Sequence, residues 1–124
     1  MCICKNGYEG ILNKCSNNQM FIAKKCVPFR SPCDGLTRTT IYTTSNVVNT
    51  SLANGIIAIV NTSIDCVMNV SITDSSGENT YVVSAQSSLV VQVFSLSLIT
   101  VVCGPDNDNG EDFCTGTFEA TLSF

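Results

Sequence analysis

From Phe113 to the C-terminus the chain alternates cleanly. Cys114, Gly116, Phe118, Ala120 and Leu122 fall on one side of an extended segment, and Thr115, Thr117, Glu119, Thr121 and Ser123 on the other. Successive side chains of a strand point to opposite faces, so this is the pattern of a strand with one face against a core. The same period recurs upstream. Ile64, Cys66, Met68, Val70 and Ile72 share a face, with Asp65, Asn69 and Ser71 opposite and Val67 interrupting the polar side. Further strands are expected at 24–29, closed by Pro32, and at 36–44 and 56–60, the latter preceded by the turn signal Asn54-Gly55. Three more are expected at 80–85, 89–94 and 96–103. Residues 74–78 read as a hairpin loop and 104–112 as a long acidic loop.

About eight strands and no convincing helix in 124 residues predict an all-β fold, an eight-stranded jelly-roll sandwich or a similar packing of two sheets. Residues 1–22 differ from the rest. They hold Cys2, Cys4 and Cys15 among glycines and asparagines, with no period, and are expected to form an extended N-terminal connector arm ahead of a core domain at 23–124. A sandwich leaves open edges, which monomers blunt with Lys, Pro or bulges. This chain has little Lys after Lys25 and no Pro between Pro32 and Pro105. Its edges are therefore expected to accept strands from other copies.

Composition narrows the function classes. Charged residues are 13% of the chain, about half the usual ~25%, as expected for a surface occupied by contacts between copies. The net charge is −4 and the densest basic group is Lys24, Lys25 and Arg30. This makes no basic stripe, so no nucleic-acid partner is expected. No apolar run reaches the ~18 residues of a membrane span. The longest, around 89–102, is interrupted by Gln92, Ser95, Ser97 and Thr100.

No histidine is present, which removes the commonest general base and the usual Ser-His and Cys-His pairs. The acids cluster in turns: Asp74 and Glu78 in one, and Asp106, Asp108, Glu111 and Asp112 in another. Catalytic carboxylates need a supported cleft, so no catalytic residue and no enzymatic activity are expected. The loop at 106–112 fails the EF-hand spacing, with Gly110 one residue early and Thr117 where the twelfth-position Glu belongs. Cys2-Ile3-Cys4 lacks the second knuckle of a structural zinc site. No metal or other cofactor is expected. The N-x-S sequons at Asn49, Asn61 and Asn69 arise readily by chance in a chain so rich in Ser, Thr and Asn.

The eight cysteines are Cys2, Cys4, Cys15, Cys26, Cys33, Cys66, Cys103 and Cys114. Disulfides belong mostly to exported proteins, yet Met1 to Gly7 lacks the basic and apolar regions of a signal peptide. The conflict resolves if the mature form begins here, if the thiols bind metal, or if the protein is oxidised after its cell lyses. In an extended arm Cys2 and Cys4 project to the same side, which suits a pair of intermolecular bridges.

Three features coincide: the cysteine-bearing arm, the first-strand segment Lys25-Cys26-Val27-Pro28-Phe29, and a last strand running from Asp112-Phe113-Cys114 to Thr121-Leu122-Ser123. Together they resemble the core subunits of Bacillus endospore appendages, pilus-like fibres on spores. The resemblance implies a jelly-roll subunit that extends its neighbours' sheets laterally and reaches another layer with disulfides from its arm. On that pattern Cys2 and Cys4, with Cys15 as substitute donor, bond to Cys26 and Cys114 of other copies. It also implies synthesis in the mother cell without a signal peptide, a place on the spore surface, and other copies or other spore-surface proteins as partners. The family's helical type carries an adjacent Cys-Cys in its arm, and Cys33, Cys66 and Cys103 have no counterpart. Their pairing stays open, as does the choice between helical fibre and stacked rings. A spore-coat or exosporium anchor and a fibre-tip binding domain are the alternatives. The absence of Trp, and the placement of Tyr42, Tyr81, Phe94, Phe113 and Phe118 mostly within strands, favour the fibre subunit.

Overall fold

The computed structural model describes residues 22–44, 52–105 and 112–123. The expected arm at 1–22 lies outside them up to its last residue, as does most of the expected acidic loop. Among the described residues eight strands are formed: β1 (Ile22–Pro32), β2 (Arg38–Thr43), β3 (Ala53–Asn61), β4 (Cys66–Asp74), β5 (Gly77–Val83), β6 (Ser88–Leu96), β7 (Leu98–Pro105) and β8 (Phe113–Ser123). Among the described residues there is no helix. The strands make two four-stranded sheets, ordered β1-β8-β3-β6 and β2-β7-β4-β5, and every pairing is antiparallel.

The alternation read at the C-terminus forms the centre of the first sheet. Cys114, Gly116, Phe118, Ala120 and Leu122 are all buried. They meet Met68, Val70, Ile72, Ile99 and Val101 of the second sheet in one core. Each such Val, Ile, Leu or Phe, fully buried, contributes roughly 1.5–3 kcal/mol. Tyr42 tilts against Phe118 with ring centroids 6.2 Å apart.

Three local expectations are corrected. Asn54-Gly55 is not a turn; it lies inside β3, where the register against β6 shifts between Ala53 and Gly55. A glycine is required there because a Cβ would run into the backbone carbonyl of Thr121. Ile64, expected on the core face, is 68% exposed, because β4 begins only at Cys66. The chain enters β4 through a turn held by Asn61, whose Oδ1 accepts the Ser63 N–H at 3.0 Å and also the Ser63 hydroxyl. Finally, β7 extends to Pro105, past the expected end at Cys103.

The corner between the sheets is made at Ser95, which takes a left-handed φ of 56°. There the chain leaves the first sheet at β6 and enters the second at β7. The Asn54 side chain accepts the Ser95 N–H at 2.8 Å, and the Thr73 carbonyl accepts the Ser97 N–H at 2.9 Å.

Candidate functional site

Three cysteines from three distant segments converge. Cys114 is the second residue of β8 and Cys66 the first of β4, so each sheet contributes one. Cys33 comes from the loop after β1, where its N–H donates to the Asp112 carbonyl at 2.9 Å. The turn that follows is wound around Asp34. Its Oδ1 accepts the N–H groups of Leu36 and Thr37 at 2.9 and 2.8 Å, and its Oδ2 accepts the Thr37 hydroxyl at 2.6 Å. Those hydrogen bonds, the Thr37 hydroxyl foremost, hold the Asp34 carboxyl down to about 2. Gly35 sits at φ 73°, and its N–H donates to the Cys103 carbonyl at 2.7 Å.

The sulfurs of Cys33, Cys66 and Cys114 all lie within 4.8 Å of one another. The Cα atoms of Cys66 and Cys114 are 5.6 Å apart and those of Cys66 and Cys33 6.7 Å, so either pair is within disulfide reach. Cys114 and Cys33 sulfurs are 3.9 Å apart. A disulfide sulfur has one partner, so the cluster has room for one disulfide and one thiol. All three are buried at the cluster, and of the three residues only Cys33 keeps part of its surface in solvent. Among the described residues this is also the one group of side chains close enough to hold a metal ion. Only with all three cysteines reduced would the cluster offer three thiolates to a soft metal.

The remaining cysteines are placed differently. Cys103, in β7, is free and fully buried, and burial pushes its thiol up to about 11. Cys26, half-buried in β1, is disulfide-bonded. It lies opposite Glu119, whereas Cys114 lies opposite Ser31. An odd number of steps along an antiparallel pair separates the two, so they occupy opposite faces of the sheet. Cys26 is on the outer face and Cys114 on the core face. The structure therefore does not bring these two cysteines onto one surface. Cys2, Cys4 and Cys15 lie outside the described residues. Sequence spacing gave no sign of the three-cysteine cluster, because it is closed by sheet packing across separations of 33 and 48 residues.

Two other features bear on assembly. The edge strand β1 carries Lys24, Lys25 and Arg30 and two prolines, Pro28 and Pro32, and Arg30 stacks over the Phe113 ring at 4.4 Å. At the other edge of that sheet, β6 has nine residues without a charge. Val90 and Phe94 on it are 67% and 52% exposed.

A family model for endospore appendages matches residues 12–124. A solved chain from work describing Bacillus endospore appendages as a family of disulfide-linked pili superposes with a TM-score of 0.60. The two are 18% identical, and the match covers 91% of this chain and 96% of that one. No curated protein matches. With nearly its whole length matched and the two-sheet fold in common, the chain belongs to the endospore appendage family.

Proposed function

We propose that the protein is a structural, self-assembling subunit of a spore-surface appendage fibre. The observation that carries this reading is the uncharged, apolar edge of β6. Unpaired N–H and C=O groups on a long edge strand are a template for another strand, and Lys or Pro on the edge opposes such pairing. In the first sheet β1 carries both kinds of guard and β6 neither, with only the Phe94 end of β6 already bonded to Asp74 and Ser75. Lateral contacts then form by adding β6 of one copy to an edge of a neighbour's sheet, with the strand order of a jelly roll giving each copy such edges. Cross-linking between layers comes from the arm, residues 1–22, through Cys2, Cys4 and Cys15.

Cys26 on the outer face is the first acceptor in this reading. Its disulfide is made in the fibre with the arm of another copy, as in an exchange of identical elements between protomers. Cys114 can accept an arm sulfur only if it gives up its bond to Cys66. The chemistry is structural, with no catalytic step. The subunit reaches the spore surface from the mother cell, where oxidation follows lysis.

Replacing Val90 and Gln92 by Lys charges the β6 edge at exposed positions, where substitutions shift stability by no more than about 0.5 kcal/mol. The variant should keep its β-sheet circular dichroism and form no fibres by electron microscopy, while the parent protein assembles. Fibres of unchanged length and number in the variant would remove β6 from the assembly. Serine at Cys2, Cys4 and Cys15 should leave lateral assembly intact but make the polymer dissociate in detergent without reductant.

A further inference from the structure

We infer that Cys33, Cys66 and Cys114 form an internal thiol–disulfide exchange triad in which one disulfide moves over three sulfurs and leaves its odd thiol either at the partly exposed Cys33 or at the buried Cys114. Three observations carry this. All three sulfurs are mutual neighbours. The Cys66 sulfur stands close to both of the others, in a position to pair with either. Both Cα separations, 5.6 Å to Cys114 and 6.7 Å to Cys33, lie inside the roughly 4.4–6.8 Å range that disulfides span. The first is close to the commonest value and the second near the upper limit. Cys66–Cys114 is therefore the favoured isomer, with Cys33 the resting thiol.

The exchange is balanced without an oxidant or reductant. The Cys33 thiol gives its proton to solvent and its sulfur attacks Cys66. A Cys33–Cys66 bond forms, the Cys66–Cys114 bond breaks, and its electron pair leaves on the Cys114 sulfur, which takes up a proton. The reverse step restores the first isomer. Thiolate is the attacking species, so the rate follows deprotonation of Cys33. Cys103 takes no part: its thiol stays protonated in its buried site.

The two isomers differ in what they hold together. Cys66–Cys114 staples β4 of one sheet to β8 of the other. Cys33–Cys66 moves that staple to the loop after β1. The second isomer also releases Cys114 from its bond without costing Cys66 a partner. The triad stands independently of how arms connect copies, since all three sulfurs belong to one chain.

The sequence supplies a direct assay. Trypsin cuts after Arg30 and Arg38 and finds no Lys or Arg beyond Arg38. Residues 31–38 carry Cys33, and residues 39–124 carry Cys66, Cys103 and Cys114. The unreduced protein is alkylated with N-ethylmaleimide at mildly acidic pH, digested, and weighed by mass spectrometry. The 31–38 peptide should appear mainly alone and alkylated. After incubation at about pH 8.5, near the ordinary thiol pKa, a fraction should instead be disulfide-linked to 39–124. Cys114→Ser should drive that linkage to completion, and Cys66→Ser, which leaves no disulfide to exchange, should make its extent the same at both pH values. The parent time course tests the idea even if a variant does not fold. Release of 31–38 as a free alkylated peptide at every pH and time, or its linkage to an N-terminal peptide, would overturn the triad. So would a copper or zinc ion bound at one per chain that blocks alkylation of all three cysteines.

Discussion

The side-chain amide of Asn61 donates to the carbonyls of Cys66 and Val83, at 2.8 and 3.0 Å, and so ties the buried starts and ends of three strands together. Its Oδ1 accepts from Ser63. Both Asn61 and Ser63 are fully buried. Asn61→Leu should therefore destabilise the fold by about 2–4 kcal/mol, since several buried groups lose their partner at once and each costs about 1–3 kcal/mol. Urea unfolding followed by circular dichroism reads this as a lower midpoint at unchanged slope. The same burial closes the Asn61 sequon to modification in the folded chain.

Gly116 leaves no space for a side chain. A Cβ there would stand 2.6 Å from the Val60 carbonyl oxygen, 2.8 Å from Phe29 Cζ and 2.9 Å from Met68 Cε. The backbone oxygen cannot step aside as a flexible side chain can. Gly116→Ala should cost about 1–3 kcal/mol, the usual range for overpacking a core. Thermal unfolding gives the comparison, with Gly35→Ala as a contrast: there the space is open, and the penalty comes from the left-handed backbone alone.

The Asp34 carboxyl, held down to about 2 by Thr37 and by backbone N–H groups, should titrate with that midpoint in a carbon-detected NMR series. Its folded pKa lies below the unfolded value of 3.8. Its contribution is therefore fully present above that unfolded value and is lost as the pH falls through about 2. Thr37→Val removes the leading hydrogen bond and should bring the midpoint back toward the ordinary carboxylate range. A midpoint unchanged by Thr37→Val would show that the turn is not wound as described.

Cys103 should resist thiol reagents near neutral pH in the folded protein, because burial raises its thiol to about 11. Peptide mapping after alkylation should find it unmodified until denaturant is added. Rapid labelling in native conditions would mean that β7 opens far more readily than its buried position allows.

Deleting residues 1–21 should leave a soluble protein with undiminished β-sheet signal. The motivation is that all eight strands and the whole described core begin at Ile22 or later. Loss of the signal would make the arm part of the folding unit and move the domain boundary.

The strands were legible where one face is buried and the other is not. The period-two run of β8 predicted every buried position from Cys114 to Leu122. It was weakest where tertiary packing overrode local signals. Asn54-Gly55 has the composition of a turn, but the close approach of β8 to β3 at Gly55 keeps it in the ladder. Ile64 continues the alternation of β4 in sequence, yet the turn organised by Asn61 places it before the strand, in solvent. The sequence also left Cys33 and Cys66 unpaired, because their meeting with Cys114 depends on which strands lie face to face. Open edges were expected all round, whereas β1 turns out to be a guarded edge.

The strand orders have a consequence for how a new chain folds. In the first sheet β8 lies between β1 and β3, and in the second β7 lies between β2 and β4. Each sheet thus receives an interior strand from the last two of the described strands to be made, β7 and β8. Until then β1 and β3 have no partner between them, and neither half of the sandwich can close. Folding must wait until β8 has been made, and non-local strand pairing is slow in itself. During that interval β8 from a nearby nascent chain fits the same vacant place as the chain's own. Crowded synthesis on one messenger should therefore favour swapped copies, and slow, dilute synthesis should favour subunits that each close on themselves.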